Sequence, residues 1–99
     1  MQYIIMDLEW NQPYYKGGLV TKPVVLTGEI IQIGVVALNA KGKITGTYTW
    51  LVRPTFLRQM HYHVRSLTGL TMQKVKKGIL FPEANRQLAA LCSPDTLLL

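Results

Sequence analysis

Acidic side chains are scarce in this sequence: five Asp and Glu stand against eleven Lys and Arg in 99 residues, a formal net charge of +6. That imbalance disfavours cationic partners and suits polyanions such as nucleic acid, although charge alone names no function. Cysteine is rarer still. Cys92 stands alone, which excludes an internal disulfide and fits a reducing compartment. Cys92 itself reads as a small buried hydrophobe rather than a nucleophile. No apolar run reaches the roughly 18 residues that a membrane helix needs, and the N-terminus has no basic segment followed by an apolar run. A cytoplasmic chain with no membrane partner is therefore expected. Internal repeats and low-complexity segments are absent too.

What is present is a globular composition. A hydrophobic fraction of 48% with 16% charged residues excludes intrinsic disorder, which requires few apolar side chains and high net charge. The length allows one domain with a small core, burying about 60–65% of the unfolded surface.

Tyr3–Glu9, YIIMDLE, has strand periodicity, with Ile4, Met6 and Leu8 on one face and Tyr3, Ile5, Asp7 and Glu9 on the other. From Trp10 to Gly28 the elements Pro13, Gly17, Gly18 and Pro23 interrupt regular structure, so a long loop is expected. Glu29–Asn39 is apolar on both faces apart from Gln32, which reads as the centre of a sheet covered on both sides. Asn39–Lys43 makes a turn, and Ile44–Val52 completes an antiparallel hairpin. Past Arg53 and Pro54 the strand pattern stops. Thr71 suits the cap of a helix running through Lys77 and ending at Gly78, while Pro82 and Glu83 suit the first turn of another. In that second helix Phe81, Ala84, Leu88 and Leu91 share one side. Thr96–Leu99 reads as the opening of a buried strand that stops before it is complete.

Chemistry is concentrated at Asp7 and Glu9. Two carboxylates two apart on a strand project in parallel, and such hard oxygen ligands bind one Mg²⁺ or bridge a pair of ions. Taken alone, the D-x-E pattern reads first as an exposed sheet edge. Placing two of only five acids side by side is nevertheless costly without a cation between them. His61 and His63 read as surface histidines near a nucleic-acid path in preference to a zinc pair on a strand, which would lack its other ligands. Lys74, Lys76 and Lys77 read as a solvated helix face in preference to a phosphate contact.

The run YIIMDLEWNQ, followed by EIIQIGVVALN, TYTWLVRP, SLTGLT and FPEANRQL, resembles the opening half of DnaQ-like (DEDDh) 3′–5′ exonucleases, particularly the small enzymes that trim structured RNA ends. The resemblance implies an α/β, ribonuclease-H-like mixed sheet, with an antiparallel three-strand meander followed by helices and truncated before its fourth strand is complete. Residues 1–99 would be the N-terminal part of a single exonuclease domain. In that family the first strand holds two Mg²⁺ or Mn²⁺ ions, which places Asp7 and Glu9 as metal ligands. The ions activate a water and orient the terminal phosphodiester while a histidine takes the proton, releasing nucleoside 5′-monophosphates from a free 3′ end of RNA or DNA. Leu8, Trp10, Leu67 and Thr68 match the family's contacts to the terminal sugar and base. For Leu67 and Thr68 a helix-terminating turn is an equal reading; Trp10 reads as core or as a stacking platform.

A second family aspartate and a later histidine and aspartate have no counterpart here. Asp95 precedes the fourth strand, and His61 and His63 lie in the wrong segment for the general base. The 99-residue chain is thus expected to be inactive alone, and the alternative reading is a non-catalytic nucleic-acid-binding module or an inactive remnant of the fold.

Overall fold

A computed structural model describes residues 1–13 and 28–99, so most of the loop expected over Trp10–Gly28 lies outside the described residues. The elements run β1 (Gln2–Asn11), β2 (Glu29–Leu38), β3 (Ile44–Leu51), α1 (Tyr62–Thr68), α2 (Met72–Val75), α3 (Phe81–Ala90) and β4 (Thr96–Leu98). They build one mixed sheet in the order β3-β2-β1-β4. The first three strands form an antiparallel meander, and β4 returns parallel to β1. This is the sheet expected from the alternating sequence.

Alternation also decides which face is buried. Ile4, Ile33, Val35 and Ala37 meet in register on one side and are covered by Ala84 and Leu88 of α3 and by Leu91 just after it. Pro82 and Glu83 occupy the first turn of that helix, as expected, but Phe81 is 43% exposed and does not join the apolar side. A second cluster, Ile31, Leu70 and Val75, lies where α1 and α2 pack on the start of β2.

The opposite sheet face is covered at one end by this second cluster, because Leu51 pairs with Gln32 and shares its face, so β2 is covered on both sides at its start, while the rest of that face is open among the described residues. Ile5, Asp7, Thr47 and Thr49 are exposed there, and Gln32, Gly34 and Val36 are half-buried. The terminal leucines differ from expectation in the same way. β4 forms, yet Leu97, Leu98 and Leu99 are 46%, 49% and 62% exposed. Cys92 also departs from its reading as a buried hydrophobe: it is exposed, because it follows the end of α3 on a surface turn.

Thr71 Oγ1 accepts from the Lys74 N–H at 3.2 Å and caps α2 as expected, but the helix stops at Val75. What ends it early is a tertiary pairing. Ile79 N–H donates to Leu51 O at 3.0 Å, Arg53 N–H donates to Ile79 O at 2.7 Å, and the buried Val52 forms a parallel bridge to Ile79.

Helix α3 is tied to β3 by polar side chains. Trp50 Nε1 donates to Gln87 Oε1 at 2.7 Å, and Gln87 Nε2 donates to Glu83 Oε1 at 3.0 Å. Hydrogen bonding from Arg86, and secondarily from Gln87, holds the Glu83 carboxyl at about 2, below its ordinary 4.5. A depressed folded-state pKa stabilises fully above the ordinary value and loses that contribution as pH falls through the lower one. Glu83→Gln removes that contribution and is expected to lower the neutral melting temperature only slightly, since the pair is at the surface. It should flatten the acid limb of melting temperature against pH between 4.5 and about 2.

Candidate active site

Asp7 pairs with Gly34 and Glu9 with Gln32 in an unbroken stretch of the β1–β2 ladder, and the register shifts only after Glu9. Both carboxylates therefore leave the same, open face of the sheet, about 6.6 Å apart along the strand. The alternate residues Ile4, Met6 and Leu8 are packed into the core on the reverse side, which fixes the strand beneath the acids. Opposite Asp7, Gly34 contributes no side chain. A Cβ there would lie 3.7 Å from Asp7 O, an ordinary contact, so the backbone tolerates a methyl, but the glycine keeps that flank of Asp7 clear.

The remaining three acids all have donors. Asp95 pairs with the Met1 amino group at 2.7 Å, and Glu83 takes Arg86. Glu29 accepts the N–H groups of Thr55, Phe56 and Leu57 at 2.7, 3.0 and 3.0 Å. Asp7 and Glu9 alone have neither a hydrogen bond nor an ion pair among the described residues. Like charges held on one face without protein donors leave their repulsion uncompensated, and a divalent cation is the natural counter-charge. Hard oxygens suit Mg²⁺ or Mn²⁺, though two carboxylates do not complete either ion's shell. Among the described residues no group of three or more His, Cys, Asp and Glu is close enough to share a metal.

Beyond Glu9 the ladder skips Ile31 of β2, so Trp10 pairs with Ile30 and Asn11 with Glu29. Trp10 becomes half exposed, while Asn11 is completely buried. Asn11 Nδ2 donates to Gln59 O at 2.8 Å, and Asn11 Oδ1 accepts from His61 N–H at 2.9 Å. These two bonds fasten the start of α1 to the end of β1. They place Leu67, 86% exposed, beside Trp10 in the wall of a cavity of about 380 Å³ that also includes Gly28 and His63. Sequence reading missed Asn11. The available signal was a short amide at the end of an alternating strand, on the same side as Asp7 and Glu9. Asn11→Ala would strand the His61 N–H and the Gln59 carbonyl, and is expected to destabilise the fold by about 1–2 kcal/mol in denaturant melts.

Sequence-predicted residues thus separate into two groups. Asp7 and Glu9 share one face, with Trp10 and Leu67 lining one cavity at the end of the strand. Leu8 turns its side chain into the core, and Thr68 uses its hydroxyl locally, donating to Val64 O at 2.7 Å and accepting from Leu70 N–H at 3.0 Å. Gly69, with φ 72°, closes α1, so the SLTG run is a helix end. His61 and His63 are not two imidazoles on a strand. His61 caps α1, its Nδ1 accepting from His63 N–H at 3.2 Å, and its ring stacks with those of Tyr62 and His63.

A sheet of this order with paired acids at the end of its first strand is the fold of DnaQ-like DEDDh exonucleases, and the chain has that fold. It is similar to the nuclease domain of 3′hExo, a DEDDh family member, solved bound to rAMP: identity is 25% and the TM-score 0.76, over 98% of this chain and 50% of that one. A full-length 3′-exonuclease shares 28% identity with a TM-score of 0.72, over 91% of this chain and 28% of that one. E. coli exonuclease I in complex with a dT13 oligonucleotide shares the fold at 14% identity and a TM-score of 0.68, over 98% of this chain and 19% of that one. The chain therefore spans half or less of the length of each of these three structures. No family model matches the sequence, and no curated protein matches it.

Proposed function

We propose that this chain carries the first two metal-binding carboxylates, Asp7 and Glu9, and the terminal-nucleotide cavity of a 3′–5′ exonuclease acting on RNA or DNA ends. The observation that supports this most directly is that the two acids without protein donors are also the two that share a face. Bound there, Mg²⁺ or Mn²⁺ would supply the charge stabilisation that phosphodiester hydrolysis requires. The chain's own residues hold and orient: the buried alternate side of β1 fixes the acids, Trp10 offers a face for a base to stack on, and Leu67 completes the cavity wall beside it.

Hydrolysis to nucleoside 5′-monophosphates also needs a general base and further acidic ligands, which the described residues do not bring to Asp7 and Glu9. The 99 residues alone are accordingly expected to bind without turning over. A non-catalytic nucleic-acid-binding module is the competing reading, and adenosine 5′-monophosphate separates the two. Added to the chain, it should quench Trp10 fluorescence, with Trp10→Phe as the control, and Mn²⁺ should tighten the binding. Asp7→Ala should abolish the Mn²⁺ effect and keep the quench. Nucleotide binding that ignores Mn²⁺ in the unsubstituted protein would refute the metal-centre reading.

A further inference from the structure

Helix α1 is the wall of the Trp10 cavity with the least to hold it. It carries His63, Val64 and Leu67 to the lining, yet none of its residues is buried, and only Val64 reaches an apolar cluster, half-buried. Its position is set by the irregular segment before it, residues 53–61, which two side chains at one end of the sheet grip. Glu29 Oε2 accepts the N–H groups of Thr55 and Phe56 at 2.7 and 3.0 Å, and its Oε1 accepts that of Leu57 at 3.0 Å. Asn11 holds the next stretch, through Gln59 O at 2.8 Å and His61 N–H at 2.9 Å. Asn11 and Glu29 stand opposite each other in the β1–β2 register, directly beside Trp10 and Gly28 of the cavity. A segment remote in sequence is thus fastened to one cross-strand pair. Asp7 and Glu9 lie farther back on β1, opposite Gly34 and Gln32, so the ladder fixes them without the help of this pair.

We infer that Asn11 and Glu29 are positioning residues: together they latch α1 beside Trp10 and so set the shape of the cavity through His63 and Leu67, while taking no part in holding metal. That the cavity takes a terminal nucleotide rests on the preceding reading; the latch does not. A carboxylate that accepts three N–H groups and a fully buried amide bonded through both its atoms make the kinds of hydrogen bond that are most costly to leave unmade. Without a buried apolar side of its own, an unlatched α1 drifts from the cavity. The binding-competent arrangement then becomes a fraction of the population, and apparent affinity falls by that fraction.

Glu29→Gln in the full 99-residue chain tests this, because it keeps the size of the side chain but leaves at least one of the three N–H groups facing an amide that cannot accept. Hydrogen exchange should quicken about tenfold at the Arg65 and Gly69 amides, which bond to His61 O and Arg65 O, and much less at Val35 in the middle of β2. Unchanged exchange in α1, or equal acceleration in β2 from a loss of stability spread over the whole fold, would overturn the latch. Adenosine 5′-monophosphate, followed by the Trp10 quench, should bind about tenfold more weakly, while calorimetric Mn²⁺ uptake is unchanged. Loss of that uptake would place Glu29 in the metal site and overturn the positioning role. Leu67→Ala completes a double-mutant cycle. It should weaken nucleotide binding in the latched protein and add little in Glu29→Gln, where the wall it alters has already withdrawn; additive losses would mean that Glu29 does not act through α1. Asn11→Ala should repeat the exchange pattern, and half-exposed Glu29 keeps the test readable where the buried Asn11 variant fails to fold. If α1 exchange quickens but the unsubstituted chain binds no nucleotide, the latch stands and the nucleotide assignment falls. If the nucleotide binds Glu29→Gln as tightly as the unsubstituted chain, the latch falls alone.

Discussion

Gly78→Ala is expected to lower the unfolding free energy by about 3 kcal/mol or more, an unusually large effect for one methyl group. For a chain of this size that is a fall in melting temperature of roughly 12–24 °C. A Cβ at position 78 would lie 2.2 Å from Leu51 O and 2.5 Å from Leu51 C. Both are backbone atoms of β3 and cannot swing aside as a side-chain tip would. Gly78 is not one of the glycines with positive φ, so its importance lies in this close approach and not in a left-handed turn. Relief of the clash would pull apart the bonds that Ile79 and Arg53 make across the Val52–Ile79 bridge. The 53–61 segment follows directly from that bridge, so its bonds to Glu29 and Asn11 should be disturbed with it. Gly42→Ala, in the β2–β3 turn where a Cβ meets nothing within 4 Å, is the contrasting substitution. Its cost should be confined to the strain of a positive φ. Equal melting temperatures for the two variants would refute the packing argument at Gly78.

Gly78 also shows where sequence reading stops. From the sequence it terminates a helix, since glycine after a lysine-rich turn does so often. In the fold the reason for glycine is a strand that contacts it from far away in sequence, which no local pattern encodes. The sheet was readable because alternation is imposed by burial on one face, and that face is where Ile4, Ile33, Val35 and Ala37 meet. The shared side of Asp7 and Glu9 followed from the same rule. The burial of Asn11 did not, because it comes from Gln59 and His61, far away in sequence, which close over the end of β1. Helix α1 was hidden for another reason. None of its seven residues is buried, so it has no apolar stripe to read, and it is held by backbone bonds to Asn11 and by its own histidine cap.

Metal uptake should vanish when the paired acids are neutralised, and the way stability responds identifies why they are there. A site of two carboxylates with an incomplete shell is weak, with a Kd for Mn²⁺ on the order of a millimolar. At about ten times that concentration, binding to the folded chain alone contributes about 1.4 kcal/mol. The melting temperature should then rise by roughly 6–11 °C. Asp7→Asn combined with Glu9→Gln keeps the size of both side chains but removes their charges, so the Mn²⁺-induced rise should disappear. Without metal, the double variant should melt at or slightly above the temperature of the unsubstituted chain, because like charges on one face no longer repel. A structural role for the acids requires the opposite: removing a stabilising partner lowers the metal-free melting temperature. Calorimetric titration of Mn²⁺ measures the binding directly, and the melts supply the sign. A Mn²⁺ response retained by the double variant would place the ion elsewhere and leave the open face of β1 without its assigned chemistry.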